Sequence, residues 1–264
     1  MEFIAYLVTG IVAGSMAGLF GVGGGIIVVP SLILTFTLMG LPEALVTHLA
    51  IGTSLACMVF TALSSTLSHN KNKGVDWRSL CVLAPALMLG SWFGVEMAVS
   101  LSGSVLQKVL GTGLILMGVN MFFGKIKPVS DLPFNPSPWI LAGGGTAIGF
   151  ASSIFGIGGG VMTIPFLTRL GQDMRRCIGT SAACSLAIAL IGASANILLG
   201  GGVFELPEHS TGLVYWPAFF GIVIMSIPFA RLGARLAQRL SAEKLKKLFA
   251  CMLLAVGSKF IFLS

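Results

Sequence analysis

Apolar residues run along this chain in long blocks, broken by short charged or Gly/Pro-rich stretches. A helix needs about 20 apolar residues to cross roughly 30 Å of hydrocarbon, and the breaks divide the chain on that scale. They predict five segments in the first half: Phe3–Leu19, Ile26–Met39, Ala44–Ser68, Trp77–Ala98 and Val105–Phe123. Five more follow: Trp139–Ile154, Val161–Leu167, Cys177–Leu199, Tyr215–Phe229 and Leu248–Leu263.

The two sets repeat each other by residue identity. Phe20-Gly21-Val22-Gly23-Gly24-Gly25 with Pro30 matches Phe155-Gly156-Ile157-Gly158-Gly159-Gly160 with Pro165. Ile51-Gly52-Thr53-Ser54-Leu55-Ala56-Cys57 matches Ile178-Gly179-Thr180-Ser181-Ala182-Ala183-Cys184 at all but one position, and Trp77 and Trp216 each open a fourth segment. Three landmarks in one order predict a duplication: a transmembrane repeat over 1–124, a cytoplasmic linker over 125–138 and a second repeat over 139–264.

Composition supports lipid as the solvent. Apolar residues make up 55% of the 264 positions and charged ones 9%, against roughly a quarter charged in soluble domains. The formal charge of +7 sits in short loops between spans, where positive excess marks the cytoplasmic side, and implies no nucleic-acid partner. Cys57, Cys81, Cys177, Cys184 and Cys251 all fall inside apolar segments, a placement that suits neither a disulfide framework nor a metal site. The N-terminus lacks the basic leader and cleavage site of a signal peptide and reads as a retained first helix.

Lys and Arg positions then set direction. Arg231 to Lys247 carries six basic residues and is taken as cytoplasmic. Lys71, Lys73, Arg78, Lys125, Lys127, Arg169, Arg175 and Arg176 join it, leaving Lys108 and Lys259 outside. The stretch Trp139–Leu167 must therefore begin and end on one face, as a hairpin. By the repeat, Phe3–Met39 is a hairpin entering from the other face, and both termini are external. The predicted fold is an all-α integral membrane protein in a plasma (inner) membrane, an inverted repeat of five helical segments per half, each half opening with a Gly-rich helical hairpin.

Candidate chemistry concentrates at the hairpin tips. The first amides of a helix lack intrahelical partners and carry partial positive charge, which favours an anion. Gly23, Gly24 and Gly25, and likewise Gly158, Gly159 and Gly160, lack a Cβ, so they tolerate positive φ and close ligand approach. Pro30 and Pro165 deprive the carbonyls of Ile26 and Val161 of an intrahelical donor. Close helix packing is the competing use of glycine, and Gly10, Gly14 and Gly18, mirrored by Gly145, Gly149 and Ser153, suit it.

Thr53 and Ser54, with Thr180 and Ser181, fall about 14 Å along their segments by helical rise, near the midplane. They are candidate donors to an anion, with a bond to the carbonyl four residues back as the alternative. His48 aligns with Arg175 and His69 with Asn196, which marks all four as candidate pathway residues. Cys57 and Cys184 are candidates for a thiol role or for plain packing. Glu96 lies near an outer end where Lys108 is a possible partner, and Arg231, Arg235 and Arg239 form a basic stripe suited to anionic lipid.

The paired Gly-x-Gly-Gly-Gly-x4-Pro motifs at Gly21–Pro30 and Gly156–Pro165, with the two Ile-Gly-Thr-Ser blocks, resemble the TauE/SafE family of sulfite exporter-like permeases over nearly the whole chain. The resemblance implies movement of sulfite, sulfonates or related organosulfur anions across a bacterial inner membrane. The expected activity is export of such an anion by alternating access, without cofactor or metal. Uptake of sulfonate or thiosulfate and a passive anion channel are the alternatives. An intramembrane enzyme is disfavoured, since neither His-Glu-x-x-His nor Gly-x-Ser-x-Gly occurs.

Overall fold

The computed structural model describes residues 2–21, 23–123, 136–201 and 206–237, and the single positions 247, 250, 251, 254, 255, 257 and 258. The linker lies almost wholly outside these residues, as do Gly-adjacent Val22, Arg239, Lys259 and most of the tenth segment. At the described positions from 247 to 258 the chain is helical, and Gly257 lies against Ile115 and Gly111.

In chain order the helices are α1 (Glu2–Phe20), α2 (Gly25–Leu38), α3 (Glu43–Lys71), α4 (Trp77–Ser100), α5 (Gly103–Phe123), α6 (Pro138–Phe155), α7 (Gly160–Arg169), α8 (Met174–Gly200) and α9 (Trp216–Ala237). Strands β1 (Ser210–Thr211) and β2 (Val214–Tyr215) pair antiparallel just before α9. Among the described residues, α1, α3, α4, α6, α8 and α9 are long and apolar enough to cross a membrane. The protein is thus an all-α multi-pass membrane protein. Its outer surface carries exposed Leu38, Leu116, Trp139 and Leu198, an arrangement that lipid, not water, accommodates.

The predicted segments meet these helices to within a few residues, except near Ala237, where α9 runs on past the apolar stretch that ends at Phe229. The helices stop where backbone geometry lets them. At the end of α6 the amide of Gly156 bonds the Ser153 carbonyl and that of Ile157 the Ser152 carbonyl, with Gly156 left-handed at φ 62. This is a Schellman cap, for which glycine has no Cβ penalty. Gly40 and Gly171 close α2 and α7 in the same way, and Lys73, at φ 54, closes α3.

Small residues let helices from the two halves touch along their length. A Cβ on Gly10, Gly14 or Gly18 of α1 would strike the backbone of Ile222, Ser226 and Ala230 of α9 in turn, so the two helices run parallel. α6 lies parallel to α4 by the same device, with Gly90 against Thr146 and Gly94 against Phe150. Beside α9, α3 also runs parallel, tied by Thr61 Oγ1 to Ser226 Oγ at 2.8 Å and by Ser64 Oγ donating to the Ile227 carbonyl at 2.9 Å. α3 and α8 are antiparallel: Leu55 lies against Gly192, while Met58 and Ser185 meet at Gly23.

Candidate functional site

Two helical hairpins, α1–α2 and α6–α7, aim their glycine turns at each other. α2 has 14 residues and α7 has 10, about 21 and 15 Å at 1.5 Å per residue. Each is therefore shorter than the roughly 30 Å slab. The turns are buried from Gly23 to Gly25 and from Gly156 to Gly160. A Cβ on Gly25 would strike the carbonyl of Gly156 and sit 3.0 Å from Ile157 Cα, so the tips are in direct contact.

The backbones of the two tips differ. Gly21, Gly23 and Gly24 have φ of 64, 77 and 87, and left-handed Gly24 is the residue preceding α2. At the second tip Gly156 is left-handed, but Gly159, which precedes α7, is right-handed with φ −55. Positive φ is thus used by Gly23 and Gly24 but not by Gly25, already helical, nor by Gly159: once Gly156 has reversed the chain, Ile157 and Gly158 lead into α7 without another left-handed step. Neither α2 nor α7 has a side-chain cap. Among the described residues, the amides of Gly160 and Val161 find no acceptor; the bonds of this turn begin with the Met162 and Thr163 amides, both on the Gly159 carbonyl.

Each tip is held by the opposite half. Ser54 Oγ of α3 donates to the Gly156 carbonyl at 2.9 Å, and Ser181 Oγ of α8 donates to the Gly21 carbonyl at 3.1 Å. Ser181 also bonds the Ile178 carbonyl at 2.9 Å, and Ser185 Oγ reaches Gly21 at 3.4 Å. The neighbouring threonines act as acceptors: Thr53 Oγ1 takes the Tyr215 amide at 3.0 Å and Thr180 Oγ1 the Asp76 amide at 2.9 Å. These four side chains are fully buried. In this structure the hydrogens of Ser54 and Ser181 point at main-chain carbonyls: a buried tip carbonyl needs a donor, and the serines supply it.

The glycine of each Ile-Gly-Thr-Ser block has a separate task. A Cβ on Gly52 would strike the Leu213 carbonyl, and one on Gly179 the Gly74 carbonyl. Leu213 and Gly74 each lie three residues before a tryptophan, Trp216 and Trp77, that opens the following helix. Gly212 and Lys73, one position earlier, share a left-handed backbone at φ 53 and 54. The loops before α4 and α9 thus seat on the opposite half in matching ways.

Of the candidate pathway residues, three are buried and bonded to main-chain carbonyls. His48 Nδ1 lies 2.9 Å from the Ala44 carbonyl, and its Nε2 lies 3.1 and 3.0 Å from those of Ala98 and Leu101. His69 Nε2 lies 3.0 Å from the Gly18 carbonyl, and Asn196 Nδ2 donates to Gly192 at 2.8 Å. Arg175 is exposed at the start of α8. Residues aligned in the repeat are not neighbours. Instead Gly74 bridges His69 and Arg175, a Cβ there lying 3.2 and 3.7 Å from their carbonyls. At the other end, Asn196 accepts the Leu213 amide, and Leu213 packs on Gly52, one turn from His48.

Cys57 and Cys184 are buried, with Cys57 Sγ 3.9 Å from the Phe219 carbonyl, positions of packing side chains. Glu96 and Lys108 are both exposed, and no ion pair joins them among the described residues. Two polar features escape the sequence reading. Asp76 caps α4, accepting from Ser79 Oγ and Gln172 Nε2, each at 2.7 Å; an Asp just before Trp77 is a recognisable cap signal. Thr163, in the first turns of α7, is fully buried with a hydroxyl that has no partner among the described residues. Its counterpart in the first repeat is Val28, so the duplication does not flag it.

Similar proteins carry the name of membrane transporters. A "Probable membrane transporter protein" of Haemophilus influenzae is 35% identical over 252 residues, covering 95% of each chain. A similarly named protein of Methanocaldococcus jannaschii is 28% identical over 95% of this chain and 92% of its own, and one of Bacillus subtilis is 26% identical over 99% and 98%. No solved structure matches the chain. With the family model "Sulfite exporter TauE/SafE" matching residues 6–260, the chain belongs to the TauE/SafE family of membrane transporters.

Proposed function

We propose that this protein exports a small sulfur-containing anion, sulfite or an organosulfonate, by alternating access, with the paired hairpin tips as the binding site. The contact between Gly25 and Gly156, at the tips of two hairpins whose second arms, α2 and α7, are too short to span, carries the reading. It sets two glycine-rich helix starts together where lipid excludes water, and an anion shed of its hydration there is compensated by main-chain amides and helix dipoles. The glycines 23, 24, 25, 158, 159 and 160 form the site. Thr53, Ser54, Thr180 and Ser181 position it.

The mechanism uses an inverted repeat, with 1–124 and 139–264 as oppositely oriented halves joined by a cytoplasmic linker and with both termini external in a plasma membrane. Support comes from the antiparallel course of α3 and α8 and from the crossed Ser54–Gly156 and Ser181–Gly21 bonds. Each half grips the other's tip, so rocking one half against the other carries both tips with it and opens the site first to one face, then to the other. Export needs no resident cofactor: an anion leaving an inside-negative cell gains about 2.3 kcal/mol per charge per 100 mV. His48 with Asn196, and His69 with Arg175, mark the two mouths.

Counterflow in proteoliposomes tests the proposal. Sulfite and methanesulfonate are expected to exchange with saturation, and acetate weakly. A conductance that never saturates would instead indicate a channel, and absence of exchange by every sulfur anion would contradict the proposal.

A further inference from the structure

We infer that Thr163 is a substrate-binding and specificity-determining residue, its hydroxyl donating to the anion at the second hairpin tip and making that tip the main anchor. The inference rests on the anion reading above and adds to it a side-chain donor and a preference between headgroups.

Buried helix threonines ordinarily satisfy their hydroxyls on the carbonyl four residues back. Buried Thr61 does so here at 3.0 Å, as do the more exposed Thr35, Thr37, Thr146 and Thr168 at 2.8 to 3.1 Å, whereas Thr66 near the end of α3 shares with Thr163 the lack of such a bond among the described residues. At Thr163 the carbonyl four residues back, on Gly159, already accepts two amides, from Met162 at 3.1 Å and Thr163 itself at 2.7 Å, and Thr163 Oγ1 has no partner among the described residues at zero exposure. A buried hydroxyl without a bond is costly, so its retention points to a partner that arrives from outside the chain.

The hydroxyl also faces the right place. Side chains on a helix lean toward its N-terminus, and Thr163 Oγ1 lies 3.2 Å from where a Cβ on Gly159 would stand. That place is filled in this structure by Ile188 Cδ1, 2.6 Å from the same point, with Ile148 Cγ2 at 3.8 Å, so the flexible end of Ile188 has to swing aside for an anion to reach the hydroxyl. Together with the amides of Gly160 and Val161, this helix start offers three donors. The first tip has Val28 at the matching position and offers main chain alone. A headgroup with three oxygens, sulfite or a sulfonate, can use the full set, whereas a carboxylate has only two oxygens to present. Thr163 is therefore expected to favour the sulfur oxyanion.

Thermal stability of the purified, detergent-solubilised protein tests this with sulfite, methanesulfonate and acetate. The wild type is expected to melt higher with the two sulfur anions than with acetate. Thr163→Val should need roughly tenfold more methanesulfonate for the same shift and lose its preference over acetate, while Thr163→Ser keeps both. Without anion, Thr163→Val should melt no lower than wild type, because it removes an unsatisfied group; a merely structural hydroxyl would make it melt lower. An undiminished methanesulfonate response in Thr163→Val, or a lower anion-free melting point, overturns the inference alone. A wild type indifferent to both sulfur anions overturns the anion reading and this inference together.

Discussion

Ser54 donates its hydroxyl hydrogen to the carbonyl of Gly156, 2.9 Å away and 102 positions further along the chain. The bond ties the middle of α3 to the turn that starts α7, and Ser181 makes the reciprocal bond to Gly21. A tip carbonyl stripped of its donor at this depth has no water to replace it. Ser54→Ala should therefore destabilise the protein by about 1–3 kcal/mol and slow transport. Ser181→Ala should cost less, since Ser181 already shares its hydrogen with the Ile178 carbonyl and Ser185 Oγ, 3.4 Å from Gly21, can turn to it from the Ser181 carbonyl it now bonds at 2.9 Å. Melting curves and counterflow on the two variants check the order; equal effects would show that Ser185 gives no cover.

The two tips answer differently to an added methyl group. Gly24 is left-handed at φ 87, and a Cβ there lies 2.8 Å from the Ala13 carbonyl. Gly24→Ala should therefore lower the melting temperature and the yield of folded protein. Gly159 has an ordinary helical φ of −55, so Gly159→Ala should fold, with Ile188 giving way, yet lose exchange because the methyl occupies the space beside Thr163. Robust exchange by Gly159→Ala would remove the second tip from the mechanism.

Packing glycines can be separated from these by position. Gly14 of α1 lies against the backbone of Ser226, and neither can retreat without parting the helices. Gly14→Ala should cost about 1–3 kcal/mol by overpacking. Gly143 of α6 has nothing within 4 Å of an added Cβ, and Gly143→Ala should be neutral or stabilising by about 0.5–1 kcal/mol. Thermal unfolding of the pair measures the contrast.

Cys57 and Cys184 sit one turn beyond Thr53 and Thr180, closed off by neighbouring side chains. The double variant Cys57→Ala, Cys184→Ala should transport at the wild-type rate. Loss of exchange in a variant that still folds would restore a thiol role.

Much of this architecture is legible in the chain itself. Apolar runs flanked by charge give the nine predicted segments that lie within the described residues a matching helix each, and the duplicated Gly-x-Gly-Gly-Gly blocks mark both tips, because local composition and close repetition carry that information. What Ser54 and Ser181 bond to is not legible, since each partner lies over a hundred positions away and only the crossing of the halves brings it near. The same crossing explains why the carbonyls of His69 and Arg175, not those of the aligned pair His69 and Asn196, flank one residue, Gly74. Thr163 is invisible to the repeat for the opposite reason: its importance lies in a difference from Val28, and a search for matches passes over differences.

The opposed approach of the two hairpins, on which the shared anion site depends, is tested most directly by labelling single cysteines in intact cells with a membrane-impermeant thiol reagent. On a cysteine-free background, Glu43→Cys lies just beyond the α1–α2 hairpin and Arg176→Cys just beyond the α6–α7 hairpin, and both native side chains are exposed. Position 43 should label in intact cells and position 176 only after the membrane is opened; labelling of both from the same side would contradict it.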